Sequence, residues 1–242
     1  MENVERLSRL LGAMELVELA PRLERGMPRW PTHPHFILDP TMTHAHDGYY
    51  CQSLAMPEHL GCHCDAPAHA LADSMEATID RISARHLMAP AVVYDFSSLN
   101  LQAGDLIDAP QIEQMERESG IRVGADEIAL VNYGWLKRHW RTDDRAQWYA
   151  TNSPGMTEAA VKLFASRKPR AVGADSIACE VPLVNGVAGP NPGHMKHWLP
   201  QGILILECVA NLEKLPKRVY FAALPLPIAN GSGSPLRPVA LF

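Results

Sequence analysis

The sequence predicts a mixed fold of helices and strands, of the α/β or α+β class, and three observations support this. Strand-like runs rich in Val, Ile, Leu and Tyr recur at 91–96, 128–133, 171–173, 203–210 and 219–224. Helical segments with recognisable ends lie between them. The 242 residues suffice for one hydrophobic core, and no repeat or Gly/Ser-rich linker divides them. We therefore expect a single domain over 1–242, whose topology the pattern alone leaves open.

The N-terminal segment predicts a helix followed by a short strand. Its apolar residues recur at helical spacing, at Leu7, Leu10, Leu11 and Met14. Residues 16–19 then alternate as in a strand, which Pro21 ends. From 26 to 48 the chain is rich in Pro, His and aromatic residues without a clear period, so a long loop is expected there.

Two further helices have clear boundaries in the sequence. Asp108 can cap the first, with Pro110 in its opening turn and Gly120 at its end. Thr157 can cap the second, which Pro169 stops. Both lie between strand-like runs, as a layered fold of helices and strands requires.

Composition argues against several classes of partner. The formal net charge is −5, and the basic run at 137–141 is followed directly by Asp143 and Asp144, so nucleic acid is not an expected partner. No apolar run approaches the ~20 residues of a membrane span, and the charged N-terminus lacks signal-peptide character. Five cysteines, with Cys62 and Cys64 too close for an ordinary disulfide, favour free thiols in a reducing cytoplasm.

The most informative segment begins at His59 and carries three histidines and one aspartate. Gly61 and Pro67 oppose a helix, so an extended conformation is expected. In an extended chain His63 and Asp65 point to the same side. A bend at Gly61 would allow His59 to join them, which predicts two imidazoles and a carboxylate at one point.

This three-ligand set leaves coordination positions open for water and substrate, as in catalytic rather than structural metal sites. His69 lies beside the set and is the expected proton-transfer group. Cys62 and Cys64 are a competing ligand pair, but a structural zinc site usually needs two separated pairs, so we expect small buried thiols. A chance run of histidines in a loop is the alternative.

A second cluster contains His194 and His197 and leads into an apolar strand that carries Glu207. A carboxylate within so apolar a strand is costly unless a partner such as a metal ion neutralises it. The alternative is an edge strand with Glu207 facing solvent.

The run from His59 to His69 resembles the His-x-Gly-Thr-His-x-Asp-x-Pro-x-His signature of the cyclase-like metal-dependent hydrolases, a family that includes kynurenine formamidase and isatin hydrolase. Weaker similarities follow in the family's order, at 26–31, 126–135, 149–155, 173–176 and 231–237. One departure is Cys62, which stands where the family usually has Thr. Because its side chain should face away from the metal, we expect it to modify activity without abolishing it.

The resemblance implies a swivelling β/β/α fold, a homo-oligomer (dimer or tetramer) and a divalent metal, Zn²⁺ or Mn²⁺, as one or two ions. It also implies roles for individual residues: a first metal at His59, His63 and Asp65, a second at His194 and Glu207 with Asp65 bridging, a catalytic His69, and a substrate pocket at Trp30. The spacing to Glu207 favours His194 over His197.

The expected function is hydrolysis of an amide-type C–N bond in a small formamide, cyclic amide or imide, through a metal-activated water with His69 as general acid and base. Trp30 and the aromatic pair Tyr49 and Tyr50 would hold a planar substrate. A metal-assisted lyase, dehydratase or cyclase is the alternative enzyme, and a non-catalytic binding protein is the other class. The sequence does not identify the physiological substrate.

Overall fold

The computed structural model describes residues 2–242. The α-helices are α1 (Glu2–Ala13), α2 (His44–Asp47), α3 (Ala109–Ser119), α4 (Trp135–His139), α5 (Ala146–Thr151) and α6 (Glu158–Ser166). The strands are β1 (Leu16–Glu18), β2 (Ile37–Met42), β3 (Cys51–Ala55), β4 (His63–Asp65), β5 (Met88–Asp95), β6 (Leu106–Ile107), β7 (Ile128–Asn132), β8 (Gly155–Met156), β9 (Ala171–Ala174), β10 (Leu183–Val184), β11 (Val187–Ala188), β12 (Leu204–Glu207), β13 (Arg218–Ala222), β14 (Gly233–Pro235) and β15 (Val239–Leu241).

Short helical turns complete the secondary structure. Five residues, Gly193–His197, form a π-helical turn. The 3₁₀ turns are Pro67–His69, Ala72–Ser74, Ile79–Arg81, Ser97–Leu99, Leu199–Gln201 and Leu212–Lys214.

Nine strands form the main sheet, in the order β1-β15-β13-β5-β7-β9-β12-β4-β14. Its central strands β5, β7, β9 and β12 are parallel, and the remaining pairings are antiparallel. Parallel neighbours joined through helices are the hallmark of an α/β fold, so the predicted class is confirmed. Strands from both ends of the chain belong to this one sheet.

A hydrophobic core covers each face of the sheet. On one face Ile112 of α3 and Phe164 of α6 pack against strand residues such as Val131. The core on the other face contains residues from both ends of the sheet, including Val17 on β1 and Cys64 on β4. One core can hold residues from both ends only if the sheet curls around it.

The expected long loop at 26–48 is wrong in part, because it contains β2 and α2. β2 pairs with β3 in a separate two-stranded sheet whose register shifts between Pro40 and Met42. This pair is largely exposed, so its residues carry no apolar alternation to reveal a strand. The predicted strand at 203–210 is too long, since β12 ends at Glu207 and Cys208 adopts a positive φ of 53°.

The predicted N-terminal helix is confirmed as α1, but none of its residues is buried. Its apolar stripe lies on the surface of the chain, where Leu7 is 55% exposed and Leu10 51%. In the part of the chain that the structure describes, no helix is both long enough and apolar enough to cross a membrane.

Asp175, which follows β9, forms hydrogen bonds with two other segments that resemble family motifs, 126–135 and 149–155. One carboxylate oxygen accepts from the Tyr133 N–H at 2.8 Å and the other from the Leu136 N–H at 3.1 Å, at the start of α4. The Asp175 carbonyl accepts from the Tyr149 hydroxyl at 3.0 Å. Burial raises the pKa of Asp175 to about 6, while the backbone N–H groups act in the opposite direction. This network supports the turn that leads to Ile177.

Replacement of Asp175 by Asn should destabilise the fold. The amide group can accept from only one of the two backbone N–H groups, so a buried donor loses its acceptor. A loss of about 1–3 kcal/mol in the free energy of unfolding is expected, measured from urea midpoints at unchanged slope. Asp144→Asn, at an exposed position, is the matched control. Equal midpoints for the two variants would contradict this account of Asp175.

Candidate metal centre

The pairing of β4 with β12 brings the two predicted clusters together. His63 lies directly opposite Glu207, and Asp65 opposite Ile205. Directly opposed residues of an antiparallel pair project on the same face, so His63, Asp65 and Glu207 share one side of the sheet. Cys62 and Cys64 project into the core on the other side, as predicted. Because β12 lies between β9 and β4, the edge-strand alternative for Glu207 is wrong.

Two glycines allow His59 to join this group. Gly61 has a φ of +64°, which a residue with a side chain rarely adopts, and it turns the chain just before β4. Gly233 on β14 lies opposite Asp65. A Cβ at Gly233 would lie 2.5 Å from Cε1 of His59, so the glycine makes room for the imidazole.

Asp65 lies at the centre of the cluster. Its Oδ1 is 2.6 Å from Nδ1 of His59 and 3.5 Å from Nε2 of His63, and its Oδ2 is 3.3 Å from Nε2 of His194. Glu207 contacts the Nε2 atoms of His63 at 3.3 Å and His194 at 3.4 Å. The two oxygens of Asp65 therefore face different imidazoles, and Glu207 lies between His63 and His194.

His194, rather than His197, reaches this cluster. Both lie on the π-helical turn 193–197, but only His194 projects toward Asp65 and Glu207. Nε2 of His197 is 3.0 Å from an oxygen of Glu158 at the surface. The predicted preference for His194 over His197 agrees with this placement, whereas the role of His194 as a ligand stays a prediction.

A hydrogen bond on the outer nitrogen of each ring sets which nitrogen faces the carboxylates. Nδ1 of His63 lies 2.8 Å from the Gly61 carbonyl, to which it donates. Nδ1 of His194 lies against the carboxylate of Glu180. Acceptors on these nitrogens leave Nε2 as the nitrogen that faces Asp65 and Glu207, and its lone pair becomes available to a metal once Nε2 loses its proton.

His59 is oriented the other way round. Its Nε2 lies 2.8 Å from the Ser232 hydroxyl, which in turn donates to Glu58 at 2.7 Å. Because that hydroxyl gives its proton to Glu58, it accepts from Nε2 of His59. Nδ1 of His59 is therefore the nitrogen that faces Asp65, and it can coordinate a metal once it loses its proton.

The carboxylates and the imidazoles stabilise one another's charges. Burial acts to raise the pKa of Asp65, but the charges of His69 and His59 and the hydrogen bonds outweigh it and hold this pKa well below its usual range. Burial acts to lower the pKa of His63, yet the hydrogen bond to Glu207 and the charge of Asp65 raise it to about 9. The cluster thus holds positive charge against its two carboxylates.

His69 lies beside the cluster on its open side. The centroid of its ring is 3.9 Å from that of His59 and 6.2 Å from that of His194. Desolvation of the ring lowers the pKa of His69, the charge of Asp65 opposes this, and the charge of His59 adds to it. A neutral, accessible imidazole can accept a proton at neutral pH.

The donor set fits a divalent metal. Ligand atoms of His63, Asp65 and Glu207 lie within 4.8 Å of one another, as do those of His59, Asp65 and His69. The inward nitrogens are free to coordinate once deprotonated, and a cation would neutralise two carboxylates that are buried within the sheet. Asp65 belongs to both groups, and His69 is the one member that lies on the open side of the cluster.

A cavity of about 220 Å³ opens above the cluster. Trp30, His33 and Asn191 line it together with the candidate metal ligands and His69. Within residues 2–242, neither Nδ1 of His33 nor Oδ1 of Asn191 has a hydrogen-bond partner. The predicted Trp30 thus lies at the pocket, whereas Tyr49 and Tyr50 lie outside it and are more than half exposed.

The loop that carries Trp30 is fixed by one arginine. The guanidinium of Arg29 donates to the carbonyls of Trp30 at 3.2 Å, Pro31 at 2.9 Å and His33 at 2.8 Å. Three carbonyls on one planar cation restrict the loop, so the cavity wall is largely preformed.

Three residues that support the cluster were not predicted from the sequence: Glu180, Glu58 and Ser232. A signal existed for Glu180, since a single acid in the apolar run 177–181 raises the same question of neutralisation as Glu207 does. Glu58 and Ser232 are 174 residues apart, and only the pairing of β4 with β14 brings them together.

Comparison with known proteins gives a consistent result. A family model described as "Putative cyclase" matches residues 17–181. An isatin hydrolase from Roseibium aggregatum is 32% identical over 198 residues, which cover 78% of this chain and 73% of the relative.

Solved structures show the same fold. An isatin hydrolase bound to the product analogue thioisatinate superposes with a TM-score of 0.88 at 27% identity, covering 100% of this chain and 98% of the other. Isatin hydrolase A from Labrenzia aggregata, bound to benzyl benzoate, gives 0.86 at 28% identity, with 99% of each chain covered. A potential metal-dependent hydrolase with cyclase activity shares the fold at 20% identity and a TM-score of 0.71, with 95% and 98% covered. The cyclase-like fold expected from the signature is confirmed.

Metal binding should release protons and strengthen with pH. With a pKa of about 9, His63 is protonated at neutral pH in the metal-free protein, whereas coordination needs the neutral ring. Apparent affinity for Zn²⁺ should therefore rise between about pH 6 and about pH 9, with roughly one or two protons released per protein near pH 7. Calorimetry in buffers of different ionisation enthalpy measures this release. Binding without proton release would contradict the assigned charge state.

Proposed function

Because the chain belongs to the cyclase family, whose signature and fold it carries, we propose that it is a metal-dependent hydrolase that cleaves an amide-type C–N bond in a small molecule. The observation that carries this proposal is the buried carboxylate of Asp65, which contacts three imidazoles beneath an open cavity. Three or more His and carboxylate donors with an open side are typical of a catalytic metal site.

The ligand assignment follows the two oxygens of Asp65. We infer that His59, His63 and Asp65 hold a first ion, and that His194 and Glu207 complete a second position that Asp65 bridges. Zn²⁺ and Mn²⁺ both suit imidazole and carboxylate donors. A bound cation would supply Lewis acidity to both the attacking water and the substrate carbonyl.

The residues of the chain supply the proton transfers. A water loses a proton to His69 as its oxygen bonds to the carbonyl carbon, and His69 returns that proton to the nitrogen as the C–N bond breaks. The lowered pKa of His69 favours its neutral form as the starting base. The products are a carboxylic acid and an amine, with one water consumed, and at neutral pH the acid then releases its proton to the solvent.

The cavity favours a small planar cyclic amide, and isatin is the first compound to test because the relatives are isatin hydrolases. Trp30 offers an aromatic face, and Ile177 and Ala178 offer an apolar wall. His33 and Asn191 add polar side chains to the cavity wall.

We further propose that the protein works in the cytoplasm as a homo-oligomer, a dimer or tetramer. The exposed apolar stripe of α1 supports a homo-oligomer, because contiguous exposed apolar surface commonly marks an interface. The five free cysteines support a cytoplasmic location, because free thiols suit a reducing compartment.

Product analysis tests the proposal. Metal-free protein, and protein supplied with Zn²⁺ or Mn²⁺, should be incubated with isatin and with a panel of formamides, cyclic amides and imides. We expect a metal-dependent product heavier than its substrate by one water, with one labelled oxygen incorporated from heavy-oxygen water. Metal-dependent turnover without added water would point to a lyase, dehydratase or cyclase instead.

The same assay with His69→Asn separates a proton-transfer group from a ligand. We expect turnover to fall about 10²–10⁴-fold, while metal content stays at the wild-type value. His197→Asn, which alters an imidazole outside the cluster, should keep both turnover and metal content. A loss of bound metal in His69→Asn would make His69 a ligand and contradict its proposed role.

A further inference from the structure

Glu180 is a buried carboxylate that the proposed mechanism does not use. It is 1% exposed and lies in the loop that follows β9. One of its oxygens accepts the backbone N–H of Gly193, and the other accepts Nδ1–H of His194. Glu180 therefore contacts the side of the His194 ring that faces away from Asp65 and Glu207.

This carboxylate also connects the two ends of a hairpin. Between Glu180 and His194 the chain forms the hairpin of β10 and β11, whose strands pair only with each other, in a two-stranded sheet separate from the main one. Both hydrogen bonds of Glu180 cross the base of this hairpin. The position of His194 thus depends on Glu180 as well as on the turn that carries it.

The turn itself leaves little freedom. Gly193 lies against Trp198, and a Cβ at Gly193 would be 2.4 Å from an atom of the indole. The Trp198 N–H donates to the Gly193 carbonyl at 2.8 Å. The backbone at His194 is thereby fixed, and the carboxylate of Glu180 sets the remaining rotation of the ring.

We propose that Glu180 is a positioning residue: it orients His194 at the second metal position, which His194 and Glu207 would form. This inference rests on the proposed function. By accepting Nδ1–H, Glu180 holds Nε2 as the nitrogen directed toward Asp65 and Glu207, where this nitrogen can coordinate once it loses its proton, and the charge of Glu180 makes that nitrogen a stronger electron-pair donor. Glu180 does not contact the reacting atoms, so its effect passes through His194.

The same turn provides a matched control. His197 lies three residues after His194 and pairs with Glu158 at 3.0 Å, but this pair is at the surface. Glu158→Gln removes a carboxylate from a histidine on the same turn without touching the cluster. Any effect specific to the metal position should appear in Glu180→Gln and not in Glu158→Gln.

Metal titration tests the proposal. Wild type, Glu180→Gln, Glu158→Gln and His194→Asn are stripped of metal and titrated with Zn²⁺ against a competing chelator. We expect Glu180→Gln to lower the affinity for the Zn²⁺ ion that depends on His194 by about 10–100-fold. The affinity for the other ion should stay unchanged. Glu158→Gln should match wild type. With Zn²⁺ bound, nitrogen-detected imidazole spectra should show a proton on Nδ1 of His194 and none on Nε2 in wild type, and a mixture of forms in Glu180→Gln.

Two results would overturn the inference. One is wild-type Zn²⁺ affinity in Glu180→Gln, and the other is unchanged Zn²⁺ binding in His194→Asn, which would remove His194 from the ligand set. If Glu180→Gln does not fold, Glu180→Asp takes its place, since the shorter side chain cannot reach both donors, and normal affinity there would be equally contradictory. If the variant binds one Zn²⁺ ion more weakly but keeps the wild-type urea midpoint, general destabilisation of the fold is excluded.

These outcomes are distinct from failure of the proposed function. A wild-type protein that binds Zn²⁺ and hydrolyses amides, beside a Glu180→Gln variant with equal affinity, would overturn only the role of Glu180. A wild type that binds Zn²⁺ through His194 but hydrolyses nothing would leave the positioning role intact.

Discussion

The burial of two carboxylates on adjacent strands is the constraint on which the rest of the site depends. Asp65 and Glu207 lie on β4 and β12 inside the sheet, where an uncompensated negative charge would be strongly destabilising. Imidazoles surround both side chains, and each inward nitrogen is directed by a hydrogen bond on the opposite side of its ring. Either protons on the imidazoles or a divalent cation can therefore neutralise the two carboxylates.

The sheet positions these groups with few degrees of freedom. Register alone places His63 opposite Glu207, and Gly233 of the next strand leaves space for His59. The remaining imidazole, His194, comes from a π-helical turn, an irregular element that is often found at functional sites. Regular strands therefore carry His63, Asp65 and Glu207, whereas an irregular turn, held by hydrogen bonds to Glu180, carries His194.

The sequence predicted the local parts of this arrangement well. The extended segment at His63–Asp65 and the capped helices α3 and α6 follow from glycine, proline and capping residues close in sequence. The paired β2 and β3 were missed because exposed strands carry no apolar alternation. The contact between Glu58 and Ser232 depends on strand register, which the local pattern does not contain.

Elemental analysis of the purified protein tests whether Asp65 anchors a metal site. Wild type is measured beside Asp65→Ala and beside Asp73→Ala, which alters an exposed carboxylate nearby in sequence. We expect about one or two equivalents of Zn or Mn in wild type and in Asp73→Ala, and their loss in Asp65→Ala. A wild type that holds no metal, even after incubation with Zn²⁺ and Mn²⁺, would contradict this expectation.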